Sequence, residues 1–587
     1  MRKFAIIIFL LLSPIYTLAE THYVSKSGSD EYPYTSWATA ADSIQKGINA
    51  ASYGDTVRVG AGTYHEYRVT IGSGVTLIGA GIDSSIIDAS FVHYDTIADV
   101  VDGEDSSSME GFQIIGNRYS QGGAGLVGIV DHYGIPMRFI KGNRFSACYE
   151  GIFIRKCPLI INNLIDSCRV GISASTYCEA LIQNNTIKQC SEGITGSFSP
   201  RYPQIVKNVI HNVIRAIGIQ LNDSLLMCNN LIYDVTDLNC IGIGNETFTK
   251  KQVINNNTVS GNVYYPILSD FGDSDIRNNI FIGGSTGIYG TGSGVTLAVG
   301  YNDLWDNIQN YFSQDGAVID TSLGGNIYLD PMVVWGDDYH LQFGSPCIDA
   351  GDPSIKDPDS SRSDIGCYGG AYGESYTYLD YPPKPPDSLS AVSESTVTIL
   401  SWKPNTESDL SHYLVFKDTI GGFTPDTFKI VGNISKDSSV FRDYDFILGK
   451  TYFYRVSAWD LTGHQSEYSD ELEVKATSVD RYTEEENRPP MYQLSQNYPN
   501  PFNYQTVIWY YLPDVGYQPA EVEITIYNLL GKRVKSLVNG REYPGEHKVQ
   551  WDGKDDSGKE VASGIYFYRL RVSGIELVKP KKMILLK

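Results

Sequence analysis

Between residues 117 and 302, short apolar patches alternate with Gly, Asn, Asp and Ser, and the pattern returns every 20 to 27 residues. Each repeat can be set on an asparagine: Asn117, Asn143, Asn163, Asn185, Asn208, Asn230, Asn257, Asn279 and Asn302. Two positions on stands an apolar residue (Phe145, Ile165, Ile187, Ile210, Ile232, Val259, Phe281), and five positions on stands Cys148, Cys168, Cys190, Val213 or Val235. A Gly-Ile pair follows in most repeats, from Gly151-Ile152 to Gly287-Ile288. No patch keeps a 3.6-residue period long enough for a helix, and β-branched runs bounded by turn formers read as strands. A fixed period of this size means one unit stacked on itself. Leucine-rich and helical repeats are excluded, for want of their leucine spacing and amphipathic helices. What remains is a parallel β-helix, in which equivalent residues of successive coils stack ~4.8 Å apart. The asparagines are expected to be structural: Asn tolerates the left-handed backbone of a turn, and stacked amides bond to one another. The cysteine column is expected in the core, where free Cys packs as a small hydrophobe.

Residues 38–51 are the best helix candidate, with Ile44, Ile48 and Ala51 on one face; a short helix there would cover the open end of a solenoid. A strand with turn formers at both ends follows, from Gly54 to Tyr64. This run resembles the opening of secreted right-handed β-helix proteins of the pectate-lyase-like superfamily. Ser345-Pro346-Cys347-Ile348-Asp349-Ala350-Gly351-Asp352-Pro353, followed by Asp364-Ile365-Gly366-Cys367-Tyr368-Gly369, resembles their closing segment. The resemblance covers 20–374 and implies a right-handed parallel β-helix; with the two β-sandwich, immunoglobulin-like domains read in the rest of the chain, the expected fold is all-β.

The rest of the chain divides at its prolines. Tyr381-Pro382-Pro383-Lys384-Pro385-Pro386 reads as a semi-rigid linker, the boundary being set at 375–383. Residues 384–477 alternate as a β-sandwich, and Trp402, Tyr413–Phe416 and Tyr452–Asp460 resemble a fibronectin type III domain, a spacer by default. A second linker occupies 478–491. In 492–587, Gln496-Asn497-Tyr498-Pro499-Asn500-Pro501-Phe502-Asn503 resembles the start of the C-terminal sorting domains recognised by the type IX secretion machinery. Residues 1–19 read as a signal peptide: Arg2 and Lys3, an apolar run from Phe4 to Leu12, and a cleavage site at Thr17-Leu18-Ala19. The apolar run is too short to span a bilayer. These segments imply export across the outer membrane, to the medium or the cell surface, with no transmembrane segment. The formal charge of −22 makes nucleic acid and anionic membranes poor partners. The chain is expected to act as a monomer. Nine cysteines make an odd number, and Cys347 with Cys367 is the best disulfide candidate.

β-helix enzymes of the resembled superfamily act on polysaccharides laid along the rod. Its lyases use calcium-holding carboxylates and a basic side chain, and its hydrolases use paired carboxylates. The candidate site is a column three positions after the asparagines: Asp166, Lys188 and His211 as catalytic residues and Tyr233 as a substrate contact. Glu150 and Glu192, ahead of the Gly-Ile pairs, are a second substrate-binding candidate. The acidic loop Asp349, Asp352, Asp357, Asp359 and Asp364 has the hard oxygens a structural calcium takes, the one cofactor considered. Yet outward strand positions are polar in any case, and no lyase or polygalacturonase signature is present. The expectation is an exported β-helix protein that engages extracellular polysaccharide, as a lyase, a hydrolase or, alternatively, a non-catalytic adhesin or surface structural protein.

Overall fold

The structure, a computed structural model, describes residues 18–586 except 93–97, 118–125, 132–135, 157–158, 176–177, 179, 199–201, 222–223, 237–238, 246–250, 262–264, 271–272, 335, 337, 395, 477–491, 514–518, 574 and 577–579. The expected signal segment up to residue 17 and the second linker lie outside the described residues. The chain divides into two compact units, one of residues 1–381 with 406–408 and one of residues 382–405 and 409–587.

The first unit is a parallel β-solenoid. Its coils lay short strands into three sheets of 13, 11 and 11 strands. Sheet I runs from Thr21–Val24 to Val318–Asp320, sheet II from Gly62–Tyr64 to Asp303–Trp305, and sheet III from Val69–Ile71 to Gln309–Ser313. In sheet II the middle residue of each strand points inward: Phe145, Ile165, Ile187, Ile210, Ile232, Val259 and Phe281 are all fully buried in one continuous core. Cys148, Cys168 and Cys190 lie in the same core, none of them in a disulfide.

In most coils the chain turns at both ends of sheet II without glycine. Asn162, Asn184, Lys207, Asn229, Asn256, Asn278 and Tyr301 hold φ between 53° and 59° before sheet II. Ala147, Ser167, Gln189, Asn212 and Asp234 do the same after it, at 52° to 55°. Asn recurs at the first turn because its short polar side chain tolerates this region. The residue after that turn forms the ladder. The Asn143 backbone N–H donates to Asn163 Oδ1 at 3.0 Å, and the pattern continues through Asn185, Asn208, Asn230, Asn257, Asn279 and Asn302 to Asn326. Each amide also donates to a carbonyl of the preceding coil, as Asn208 Nδ2 does to Ile182 O at 2.8 Å. Asn117 is not a member: Phe112 takes its place, donating its N–H to Asn143 Oδ1, and Asn117 falls beyond the strand Gln113–Ile115.

Helix α1 spans Ile44–Ala50, shorter than the expected 38–51. Ser43 caps it by accepting from Lys46 N, and Glu66 receives the N–H groups of Ile44 and Gln45 at 2.8 and 3.1 Å. The preceding residues are drawn out of the helix because Ala41 pairs with Val24, extending sheet I.

After the last coil, residues 327–378 fold back over the C-terminal half of sheet II. Val333, Tyr339, Leu341, Cys347, Ile365 and Cys367 close a second core with Leu231, Tyr233, Ile280 and Ile282. The turn asparagines hold this segment: Asn229 Nδ2 donates to the carbonyls of Cys367 and Gly369, and Asn256 Nδ2 to those of Asp364 and Gly366. Cys347 and Cys367 are free, not paired. Their surroundings differ: the Cys347 thiol meets Asp303 Oδ2 at 3.4 Å, whereas Cys367 N–H donates to Thr258 Oγ1.

The second unit holds two antiparallel sandwiches, each with its own core. The first pairs sheets of three and four strands between Asp387–Ser393 and Leu472–Lys475, and the second pairs sheets of three and five strands between Gln493–Leu494 and Lys581–Leu585.

Candidate functional site

Each sheet II strand turns its first and third residues outward. Third residues of successive coils pair in register: Ser146 with Asp166, Asp166 with Lys188, Lys188 with His211, and His211 with Tyr233. The expected stripe therefore runs as one column along the rod, each member ~4.8 Å from the next.

Its members differ in what surrounds them. Asp166 is only 7% exposed, and one carboxylate oxygen accepts from both Nε and Nη2 of Arg144, at 3.1 and 2.8 Å. Such a charge-assisted, forked contact occupies that oxygen. Arg144 was missing from the column because it stands at the first strand position of the coil before, a diagonal neighbour. Lys188 faces Asp166 in register, is half-buried, and forms no ion pair among the described residues. The His211 ring stacks on Tyr233 with centroids 4.7 Å apart and planes 12° from parallel. Tyr233 in turn meets Tyr339 at 5.2 Å and is 3% exposed. The expected substrate contact at Tyr233 is thus corrected: the folded-back segment roofs it, and the open part of the stripe ends at His211. Beside that open part, at the turns that follow sheet II, lies a hollow of about 260 Å³ lined by Gln189, Ser191, Asn212, Ile214, Asp234 and Thr236.

Glu150 and Glu192 belong to another face. On sheet III, Glu150 pairs with Val170, Val170 with Glu192, and Glu192 with Arg215. Val170 separates the two carboxylates, and Ser173 Oγ donates to Glu150 Oε2 at 2.8 Å. Arg215 lies across Gly218, where a Cβ would stand 2.9 Å from its Cδ. Neither glutamate joins Asp166.

The acidic loop ties its carboxylates to several partners, with Asp352 and Asp364 buried. Asp352 accepts from Arg277 Nη1 at 2.6 Å and from Ser354. Asp357 accepts the N–H groups of Asp364 and Gly370, and Asp359 those of Ser361. Asp364 accepts Asp349 N–H and the Tyr378 hydroxyl, both at 2.8 Å, and burial raises its pKa to about 6. Asp349 itself is exposed, with φ 52°. Among the described residues, no three of these carboxylates bring oxygens within 4.8 Å of one another. The oxygens close the loop on itself and on sheet I rather than facing one point.

Two family models match parts of the chain. Residues 48–240 match a family described as the periplasmic copper-binding protein NosD, and residues 516–574 match the FlgD Ig-like domain. No curated protein matches. Among solved structures the chain is similar to XylC in complex with xylose, at 11% identity over 77% of this chain and 100% of that one, with a TM-score of 0.36. It is also similar to the third fibronectin III domain of the human KIAA0343 protein, at 14% identity over 20% of this chain and 100% of the domain, with a TM-score of 0.15. The spore cortex lytic enzyme SleM of Clostridium perfringens aligns at 24% identity over 18% of this chain and 32% of that one, with a TM-score of 0.14. At these TM-scores the likenesses decide nothing about activity. No helix among the described residues is long and apolar enough to cross a membrane.

Proposed function

We propose that this is an exported β-helix protein that engages an extracellular polysaccharide along the open flank of sheet II, by binding rather than by cleavage. The observation that carries the reading is the run Asp166, Lys188 and His211, in register on one flank beside the 260 Å³ hollow. Lys188 offers an ammonium without an ion pair to a carboxylate or hydroxyl of a sugar, and His211 offers a ring edge. Hydrolysis would need two carboxylates set about one glycosidic bond, and Asp166, the carboxylate of this run, is already engaged by Arg144. The elimination chemistry of a lyase would rest on Lys188 or His211 as base. The family matched over 48–240 is described as copper-binding. Among the described residues of that stretch, no three His, Cys, Asp or Glu side chains bring ligand atoms within 4.8 Å. Cys168 stands in the sealed core, where burial pushes its thiol well above the ordinary value; a soft metal needs the thiolate. Copper has no part in this reading.

The second unit supports export and spacing. Its first sandwich, with Tyr452 OH accepting from Ile447 N at 2.9 Å, has the corner found in immunoglobulin-like folds. We read it as a fibronectin-type spacer. The last sandwich, opened by Gln496–Asn503, is read as the address for the type IX machinery.

The test uses the whole protein, with and without calcium, in affinity gels containing xylan, alginate, polygalacturonate or laminarin, followed by sizing of the polymer. At least one polymer retards the protein and keeps its length, and Lys188→Ala weakens retention about tenfold, as expected for a charge-assisted contact. Free migration through all four gels overturns the reading. Shortened chains with unsaturated ends would replace binding by a lyase activity.

A further inference from the structure

The sheet II column does not stop at Ser146. Ser146 pairs with Ile115, and Ile115 with Asp88. One coil further on, His65 follows Tyr64, which pairs with Ile87, and His65 Nδ1 lies 3.3 Å from Asp88 Oδ2. The open lane from His65 to His211 thus spans six coil steps, ~29 Å.

Its far end is aromatic. Phe91 packs edge-on against His65 at 6.2 Å and against Tyr67 at 6.1 Å, and the Arg68 guanidinium lies 5.7 Å over the Tyr67 ring. Phe91 is 57% exposed and Tyr67 40%. The core does not need these faces, and the turn that carries Tyr67 is fixed. Glu66, between His65 and Tyr67, is bonded to the first N–H groups of α1, and Arg68 N–H donates to Asp99 O at 3.0 Å. A ring held on a rigid turn loses little freedom on binding. Carboxylate, imidazole and guanidinium surround the rings, so apolar faces and hydrogen-bonding groups alternate over a few ångströms. That mixture suits a sugar ring, whose C–H face is apolar and whose hydroxyls project from its edge. A protein partner would instead favour one contiguous apolar patch.

We propose that His65, Tyr67, Arg68, Asp88 and Phe91 form a distal sugar-stacking subsite, so that the lane takes a long linear polysaccharide and not a short oligosaccharide. The inference rests on the polysaccharide reading above and adds to it a second anchor at a fixed distance. A chain held at both ends gains through effective concentration; a fragment too short to span the lane does not.

The experiment takes the polymer, among xylan, alginate, polygalacturonate and laminarin, that the whole protein retains, and its two-unit and ten-unit fragments. Affinities are measured for wild type, Phe91→Ala, Tyr67→Ala, Lys188→Ala and, as a control, the exposed Phe428→Ala of the second unit. Phe91 and Tyr67 are exposed enough for alanine to leave the fold intact, which circular dichroism checks. Phe91→Ala and Tyr67→Ala are expected to weaken the ten-unit fragment and the polymer about tenfold each, the size of one lost stacking contact, and to leave the two-unit fragment unchanged. Loss with Lys188→Ala but none with Phe91→Ala or Tyr67→Ala at any length overturns this subsite and leaves the stripe standing. Equal loss for short and long fragments also overturns it. Failure of all four polymers to bind overturns the stripe and the subsite together.

Discussion

Asp303 is fully buried between sheet II and the folded-back segment, with one oxygen at the Cys347 thiol. Burial, with the Asp330 charge adding to it, pushes its carboxyl from the ordinary 3.8 to about 8. Asp364 moves the same way, to about 6. Between these values and the ordinary one, the folded chain keeps protons that the unfolded chain has released. Their contribution to stability is therefore full below 3.8 and is lost as pH rises through 6 and 8. The thermal midpoint of the first unit is expected to fall between pH 5 and 8, and Asp303→Asn, which stays neutral, to flatten the fall. A wild-type profile that is level over this range would contradict the assignment. At Arg144 the expectation is electrostatic. Arg144→Ala strands the buried Asp166 charge at a cost of about 1–3 kcal/mol, moderated because the arginine is itself a third exposed. Asp166→Leu in the same chain should recover most of that loss in denaturant titration, and no recovery would mean the arginine acts through packing. Asp166, Lys188 and His211 were legible as a column because the repeat fixes which positions stack. Arg144 was not, since its bond runs diagonally between strand positions that the spacing does not pair.

At the scale of one coil, the turn asparagine and the ladder asparagine do different work. Asn208 is fully buried and its amide serves three coils: Oδ1 accepts from Asn185, and Nδ2 donates to Ile182 O, Val206 O and Asn230 Oδ1. Asn184 is exposed and supplies only a left-handed turn, φ 53°. Asn208→Ala is expected to cost about 3 kcal/mol or more by leaving several buried groups unpaired. Asn184→Ala costs about 1 kcal/mol, and Asn184→Gly close to nothing. Urea unfolding of the three variants orders them, and equal losses at 184 and 208 would contradict the separation. The ladder could be read from sequence because a structural period leaves its residue type at every repeat. Asn117 fell outside because its apolar follower two positions on is missing, whereas Phe112 has Ile114. The roof over Tyr233 left no periodic trace. It depends on contacts such as Asn229 to Cys367, 138 residues apart, between a repeat and an irregular segment.

For the whole molecule, the order of parts was legible and the use of the C-terminal motif was not. The Asn497 side chain donates to Thr506 Oγ1 and Pro499 O, its N–H donates to the Tyr568 hydroxyl, Asn500 Oδ1 accepts from Ile584 N, and Phe502 is 2% exposed. These residues close the last sandwich, so their pattern has a packing cause besides any address. The central claim concerns the first unit: polysaccharide lies on the open flank of sheet II. Hydrogen–deuterium exchange of the whole protein, with and without the retained polymer, tests it most directly. The account predicts added protection at Arg144–Ser146, Thr186–Lys188 and Val209–Val213, extending to the turn at residues 65–68, with sheet III unchanged. Protection confined to sheet III or to the second unit would contradict it.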